Sequence, residues 1–518
     1  MYASFFGKTP KKGGRDFWSL DIDNKHFRAT AERGGKLWNN NERNATVKTT
    51  LAVIIGNRGF FPDSLAAEGR EYIPKRLNEL GYEVVVLDTD TTKFGAVETR
   101  ADAKECADLF QEYRGVIDGI VVSLPNFGGE DSIAEAIQMA GLDVPVLVHA
   151  WADDPAKMDI KHRRDAFCGK NSVCRNLSQL GISYSLTRNH TLDPASDEFA
   201  SEINQFAATC RVVRGIRNCR IGAVGARPDG FRTMRNNEAL LARQLGIQVV
   251  TLDLSEVIAA ANALSNDDAS VKAEVTAIEE YIKHSDVPPE ALEKMAKLAV
   301  VLKRFKADND LDALAIQCWT SLQKNYGIVP CTIMGMLSQE LCAAACEVDT
   351  YGAISMRALM LASLQPAALV DLNNNGANPD DFVAFHCSNI AKAFLANCHM
   401  GYQAIIAGTV GQESTWGTTE GKFPGGQALT LFRLSDTPGG PLWSYITEGQ
   451  TVETAIQTFG GYGVIRVPKL QKLLRTNCRM GGEHHVAIGL GVHAAAINEA
   501  FTRYFGIKNY WHNQPETD

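Results

Sequence analysis

Apolar residues in the first half of the chain fall in short runs that alternate with amphipathic stretches. LAVIIGNRG (51–59) reads as a buried strand closing in a turn, SLAAEGREYIPKRLNELG (64–81) has helical spacing and stops at a glycine, and YEVVVLD (82–88) is again strand-like. ADAKECADLFQEYRG then predicts a helix, VIDGIVVSLPN (116–126) a strand, EDSIAEAIQMAG a helix and VPVLVHAW (144–151) a strand. This alternation predicts a parallel, doubly wound sheet covered on both faces. The strand ends Gly56-Asn57-Arg58, Leu124-Pro125-Asn126 and His149-Ala150-Trp151 then gather at the carboxyl edge, where such sheets bind ligands.

A second unit of the same texture begins near Asn218. CRIGAVGARPDGF (219–231) is strand then loop, MRNNEALLARQLG (234–246) a helix and IQVVTLDLSEV a strand and turn. A charged helical insertion (about 255–310) precedes the buried strand LDALAIQCW (311–319), and the Ala/Cys-rich run around Cys342 and Cys346 reads as helix. The starts IIGNRGFFPD and AVGARPDGF both end in an Arg near Gly, Pro and Asp, as an old duplication would leave them; neither contains the GxGxxG dinucleotide fingerprint. From about Ala358 the texture changes to ALVDLNNNG, DFVAFHCSN, YQAIIAGTVG, QALTLFRLS and YGVIRVPKL, separated by Gly/Pro/Asn loops. The expected architecture is therefore α/β: a polar arm (1–47), two doubly wound, Rossmann-like parallel-sheet domains (48–215 and 216–357), and a mainly antiparallel β domain (358–518) that ends strand into helix. The arm carries isolated aromatics (Phe5, Phe6, Phe17, Trp18, Trp38) that either dock on a neighbouring surface or stay solvated.

Composition narrows the function. With 518 residues, 45% hydrophobic and 22% charged, the chain has the balance of a multidomain globular protein. A net charge of −8 argues against nucleic acid or anionic membrane as the main partner. No apolar run reaches the roughly 18 residues of a membrane span, and no apolar run follows the basic residues of the first fifteen, so no secretory signal is expected. Twelve cysteines then read as reduced thiols of a cytoplasmic protein, with Cys342 and Cys346 as small buried residues rather than a metal pair.

Candidate chemistry lies where polar groups interrupt apolar surroundings. Glu347 and Asp349 follow the Ala/Cys-rich run, Asp371 follows the apolar ALV, and His484 and His485 follow Gly481-Gly482 and precede VAIGLG. Each has an ordinary explanation alone: a turn cap for Asp371, a core imidazole for either His, a pairing of Glu347 with Arg357. Together, two carboxylates and an imidazole fit an O,O,N site for Mn²⁺ or Mg²⁺.

From about residue 50 to 513 the chain resembles the L-fucose isomerase and L-arabinose isomerase superfamily. Glu347 and Asp371 stand 24 apart, in the context of the family's ligand Glu and Asp, and GGEHH resembles the GG-x-HH stretch that supplies a ligand His. The resemblance implies metal ligation by Glu347, Asp371 and His485, with His484 as the rival imidazole. His386, in FHCSN 15 residues after Asp371, corresponds to a further ligand or a residue beside the sugar, or else is a core histidine or one that supports the ligands. IGNRGFFPD resembles the segment whose Arg contacts sugar, usually in a neighbouring subunit, which nominates Arg58; AIQCWTS nominates Gln317 and Trp319 as substrate-binding residues. RRDAFCGKNSVC (163–174) also resembles a family stretch, without a chemical role for its residues. The implied activity is aldose–ketose isomerisation through a cis-enediol, with Glu347 and Asp371 flanking the C1–C2 bond and Mn²⁺, or Mg²⁺ or Co²⁺, as Lewis acid. The implied assembly is a homo-hexamer, or at least an oligomer whose sites are shared between subunits. Contacts that select the sugar are expected in loops such as 412–426, where Trp416 and Lys422 either line the site or are simply exposed loop residues. The alternatives are a non-catalytic sugar-binding or regulatory protein of periplasmic type, a metal-dependent aldolase or hydrolase with the same ligands, and a retired homologue.

Overall fold

The computed structural model describes residues 48–515 apart from Pro438; the expected arm, 1–47, lies outside the described residues. The first sheet is parallel. Its strands are β1 (Thr50–Ile55), β2 (Glu83–Val86), β3 (Gly119–Leu124), β4 (Val146–Ala150) and β5 (Ser185–Leu186), in the order β2-β1-β3-β4-β5. The second, also parallel, comprises β6 (Arg220–Val224), β7 (Gln248–Leu252), β8 (Ala313–Ile316) and β9 (Ala343–Cys346), ordered β7-β6-β8-β9. Both sheets thus place their first strand between the second and third and then run outward, as doubly wound parallel sheets do. Helices Leu254–Ala263, Ala269–Tyr281 and Pro289–Asp308 fill the insertion between β7 and β8.

The third sheet is mixed. Its nine strands are β10 (Ala367–Asn375), β11 (Asp381–His386), β12 (Ala396–Tyr402), β13 (Trp416–Lys422), β14 (Ala428–Asp436), β15 (Leu442–Val452), β16 (Gly461–Arg466), β17 (His485–Leu490) and β18 (Lys508–Trp511). Most neighbours are antiparallel, but β13 with β16 and β15 with β18 run parallel. Among the described residues, no helix is long and apolar enough to cross a membrane.

Three local readings of the sequence are corrected. The Ala/Cys-rich run is not a helix: Ala343–Cys346 is β9, with every residue buried. Alanine's helix propensity is overridden because small side chains let this strand fit between helices Cys331–Gln339 and Thr350–Ser363. YQAIIAGTVG is not a strand; the Gln403 side chain accepts from Ile406 N at 2.9 Å and caps a short helix, Ala404–Val410, that stops at Gly411. The expected loop 412–426 contains a strand, β13, through its middle, with Trp416 edge-on to Tyr402 at 5.6 Å.

Candidate active site

The carboxyl ends of β8 and β9 open toward the ends of β10, β11 and β17. Two consecutive residues between β9 and the next helix, Glu347 (φ 60°) and Val348 (φ 55°), are left-handed. Such conformations cost on the order of 1 kcal/mol or more for residues with a side chain. The turn is held by Asp349, which caps helix Thr350–Ser363 by accepting from Gly352 N at 2.8 Å. Glu347 is thereby fixed at the sheet edge, and Trp319, just past β8, donates from Nε1 to Glu347 Oε1 at 3.0 Å.

Asp371 and His485 are direct partners in the antiparallel pairing of β10 with β17, so they project from the same face. His485 Nε2 lies 3.1 Å from Glu347 Oε2 and 3.4 Å from Asp371 Oδ1. None of these three buried atoms has a hydrogen-bond partner of acceptable geometry. Buried polar atoms are rarely left unsatisfied without a reason. Donor atoms of Glu347, His386 and His485 lie within 4.8 Å of one another, and so do those of Asp371, His484 and His485. Two oxygens and imidazole nitrogen aimed at one small volume, with no protein donor to satisfy them, fit a divalent cation of the Mn²⁺ type.

Behind the site is a charged network that sequence reasoning missed. Asp349 Oδ2 accepts from His485 Nδ1 at 2.8 Å and from Arg433 at 2.6 Å, while Oδ1 accepts from Arg433 at 3.1 Å as well as from Gly352. Arg433, fully buried on β14, also donates to Glu483 Oε2 at 3.1 Å, and Ser435 holds the other oxygen of Glu483. One signal was present: in QALTLFRLS an arginine occupies the alternation position shared by Leu429 and Leu431. Asp349 thus fixes the ring of His485 and holds a proton on Nδ1, so that when the ring is neutral the Nε2 lone pair faces the carboxylates.

The electrostatics follow from this packing. Burial alone raises the Glu347 carboxyl, but the nearby His485 and His386 outweigh it and hold the group below the ordinary glutamate value. Burial likewise raises Asp349, yet Arg433 and His485 keep it well below the carboxylate range. For His485, burial lowers the pKa, and the contacts with Asp349 and Glu347 carry it up to about 10. Burial and the adjacent His485 lower His484.

The remaining expected residues divide. His386, buried at the end of β11, sits with its ring centroid 5.5 Å from that of His485. His484 is partly exposed, lies 3.6 Å from Asp371 and 4.6 Å from His485 between ring centroids, and packs edge-on to Phe231, which also meets Trp319. Gln317 does not reach the carboxylates through any hydrogen bond among the described residues; its Oε1 accepts from Ala226 N at 2.9 Å and ties the loop after β6 to the end of β8. Arg58 stays with the first sheet, donating to Gly128 O at 2.8 Å and lying 4.3 Å above the Phe127 ring. Arg357 pairs with Asp312 at 2.8 Å, not with Glu347.

Two parallel sheets, a mixed sheet, and a buried carboxylate–imidazole set between the second parallel sheet and the mixed one define an α/β protein with an enclosed polar site. Residues 52–217 match the fucose/sulfoquinovose isomerase N-terminal domain and residues 384–512 the L-fucose isomerase C-terminal domain. The chain belongs to the fucose isomerase-like superfamily. A sulfoquinovose isomerase of Priestia aryabhattai is 29% identical over 44% of this chain, a match that spans only half of that relative's length. One from Alkalicoccus urumqiensis is 25% identical over 76% of this chain and 85% of its own, and one from a Clostridium species is 24% identical over 58% and 66%. An ABC-transporter periplasmic solute-binding protein of Actinobacillus succinogenes with bound D-allose aligns over 61% of this chain and 93% of its own, at 10% identity and a TM-score of 0.15, too low to bear on the fold.

Proposed function

We propose that the protein is a metal-dependent aldose–ketose isomerase, with sulfoquinovose and L-fucose as the first sugars to test. The observation that carries this reading is the convergence of Glu347 Oε2, Asp371 Oδ1 and His485 Nε2, all buried and all without hydrogen-bond partners. The names of the relatives and of both matched domains support the isomerase class.

Glu347, Asp371 and His485 would hold a divalent cation, Mn²⁺ by preference or Mg²⁺ or Co²⁺, with His386 beside them. When bound, the cation supplies Lewis acidity that lowers the cost of negative charge on the sugar's O1 and O2. Isomerisation moves one proton between C2 and C1 through a cis-enediol. Asp371, whose side chain keeps 22% exposure, carries the carbon-bound proton from C2 to C1. Glu347, steadied by Trp319, serves the proton exchanged between the hydroxyl oxygens. Trp319 and Phe231 present aromatic surface to the sugar's apolar face. The reading extends to an oligomer with shared sites. Arg58 and its neighbour Phe60, which is 81% exposed, would meet the sugar bound by an adjoining copy.

Chelator-treated protein should convert an aldose to a ketose of equal mass only after Mn²⁺, Mg²⁺ or Co²⁺ is restored. Glu347→Gln should lose turnover while retaining its circular dichroism spectrum and melting temperature. Near-normal turnover in that variant, or full turnover without metal, refutes the reading; smaller products would indicate aldol cleavage instead.

A further inference from the structure

Twelve cysteines are free, and four of them meet. Cys318 follows β8, Cys331 opens the helix Cys331–Gln339, Cys346 ends β9 and Cys387 follows β11. Cys346 touches both Cys318 and Cys387 through its thiol, and Cys331 touches Cys387. The sulfurs of Cys346 and Cys387 and a ring nitrogen of His386 lie within 4.8 Å of one another, and those of Cys318 and Cys346 share the same range with a Glu347 oxygen. Cys387 Sγ is 3.5 Å from His386 Nδ1. Cys318, Cys331 and Cys346 are buried, with 2% exposure or less.

A single buried cysteine is ordinarily a small apolar filler. Four sulfurs brought together from four separate segments, with an imidazole at one side, make a donor set instead. Thiolate and imidazole select Zn²⁺-class cations, whereas the neighbouring carboxylates suit Mn²⁺ or Mg²⁺. Tetrahedral ligation at about 2.3 Å per sulfur needs ligand atoms about 3.8 Å apart; Cys346, Cys387 and His386 share one 4.8 Å range, and Cys318 joins them through Cys346. The N-terminus of helix Cys331–Gln339 adds a positive end that favours thiolate character. Soft and hard donors are also interleaved in sequence: Cys346 precedes Glu347 and Cys387 follows His386.

We propose that Cys318, Cys346, Cys387 and His386 form a second, thiophilic metal site of the Zn²⁺ class, with Cys331 hydrogen-bonded to Cys387 from behind. Binding releases the thiol protons to solvent and changes no oxidation state. Because His386 stands between the two donor sets, a cation held by the sulfurs draws it away from the carboxylate site.

The test uses the full chain, stripped by chelator, saturated with Mn²⁺ and then titrated with Co²⁺. A sulfur-to-cobalt charge-transfer band should grow to one equivalent per chain and disappear on adding Zn²⁺. Cys346→Ser and Cys387→Ser should each weaken Co²⁺ binding at least tenfold, while Cys342→Ser, at the other end of β9, and Glu347→Gln should keep the band. Zinc-edge X-ray absorption on the unaltered protein supplies a reading that survives misfolding of a variant: sulfur and nitrogen neighbours at about 2.3 and 2.0 Å. Absence of the band, its persistence in both serine variants, or an oxygen-and-nitrogen-only zinc shell overturns the proposal. Retention of the band in an isomerase-inactive Glu347→Gln separates this site's fate from that of the proposed activity.

Discussion

Asp349 is the residue whose alteration the structure predicts most sharply. Its two carboxylate oxygens accept four hydrogen bonds: Oδ1 from Gly352 N and Arg433, Oδ2 from Arg433 and His485. Asp349→Asn keeps the volume but leaves one accepting oxygen. If that oxygen stays with Gly352, the new amide N–H groups face Arg433 and His485 Nδ1. Two charge-assisted hydrogen bonds are lost, each worth about 1.5–3 kcal/mol, and the fully buried Arg433 retains Glu483 and a contact with the remaining oxygen, which no longer carries charge. The sum, about 3–6 kcal/mol, overlaps the about 3–5 kcal/mol that breaking a buried charge pair costs. The second effect is on the imidazole. An N–H facing Nδ1 turns that atom into an acceptor and moves the ring proton to Nε2, the atom aimed at Glu347 and Asp371. Mn²⁺ affinity should fall about 10- to 100-fold, the usual range for a lost partner behind a ligand. Thermal melting and Mn²⁺ titration by calorimetry read the two effects separately. A variant with the parent's melting temperature and Mn²⁺ affinity would show that the network neither supports the fold nor orients His485.

Trp319→Phe keeps an aromatic ring against Phe231 but removes the donor to Glu347 Oε1, and should lower kcat about tenfold, as expected for about 1.4 kcal/mol of lost carboxylate positioning; unchanged kcat in steady-state assays argues against that role. His149 is buried on β4 as a neutral ring, its Nε2–H donating to Leu192 O at 3.0 Å and Nδ1 accepting from Ser123 at 3.1 Å, and burial lowers its pKa from 6.5 to about 4. The unfolded chain therefore takes up this proton first as pH falls, so stability is full above about pH 6.5 and declines toward pH 4, by about 3 kcal/mol in all; melting curves across that window should flatten in His149→Gln. Gly169→Ala would put a Cβ 1.6 Å from Phe127 O, so helix Ala166–Gln179 must shift, and melting should drop by several degrees.

Much of the architecture could be read directly from hydrophobic spacing. Runs such as LAVIIG and GIVVSL are buried at every position because both faces of a parallel sheet are covered, and that leaves a plain record in sequence. The strand Ala343–Cys346 left none, since it relies on helices packed from either side rather than on β-branched residues. At the site, Glu347, Asp371 and His485 stood out as polar groups in apolar company. Asp349 was in view beside Glu347, but its partner Arg433 comes from a strand 84 residues away, and only the register of β14 beside β17 brings them together. The thiol cluster was hidden for the same reason: Cys346 read as a small buried residue four positions from Cys342 in a supposed helix, whereas the strand sends them to opposite ends and gives Cys346 to Cys318 and Cys387.

Of the three groups facing one another across the site, two are clamped. The Glu347 carboxylate is held by an indole, and the His485 ring by a carboxylate that a buried arginine itself grips. The inward oxygen of Asp371 has no such holder, and its side chain keeps a solvent-facing margin. The cluster is built like a vice with two fixed jaws and one that slides. Differences in size between one occupant and the next fall on that single aspartate, which makes position 371 the place where tolerance, and its loss, are decided.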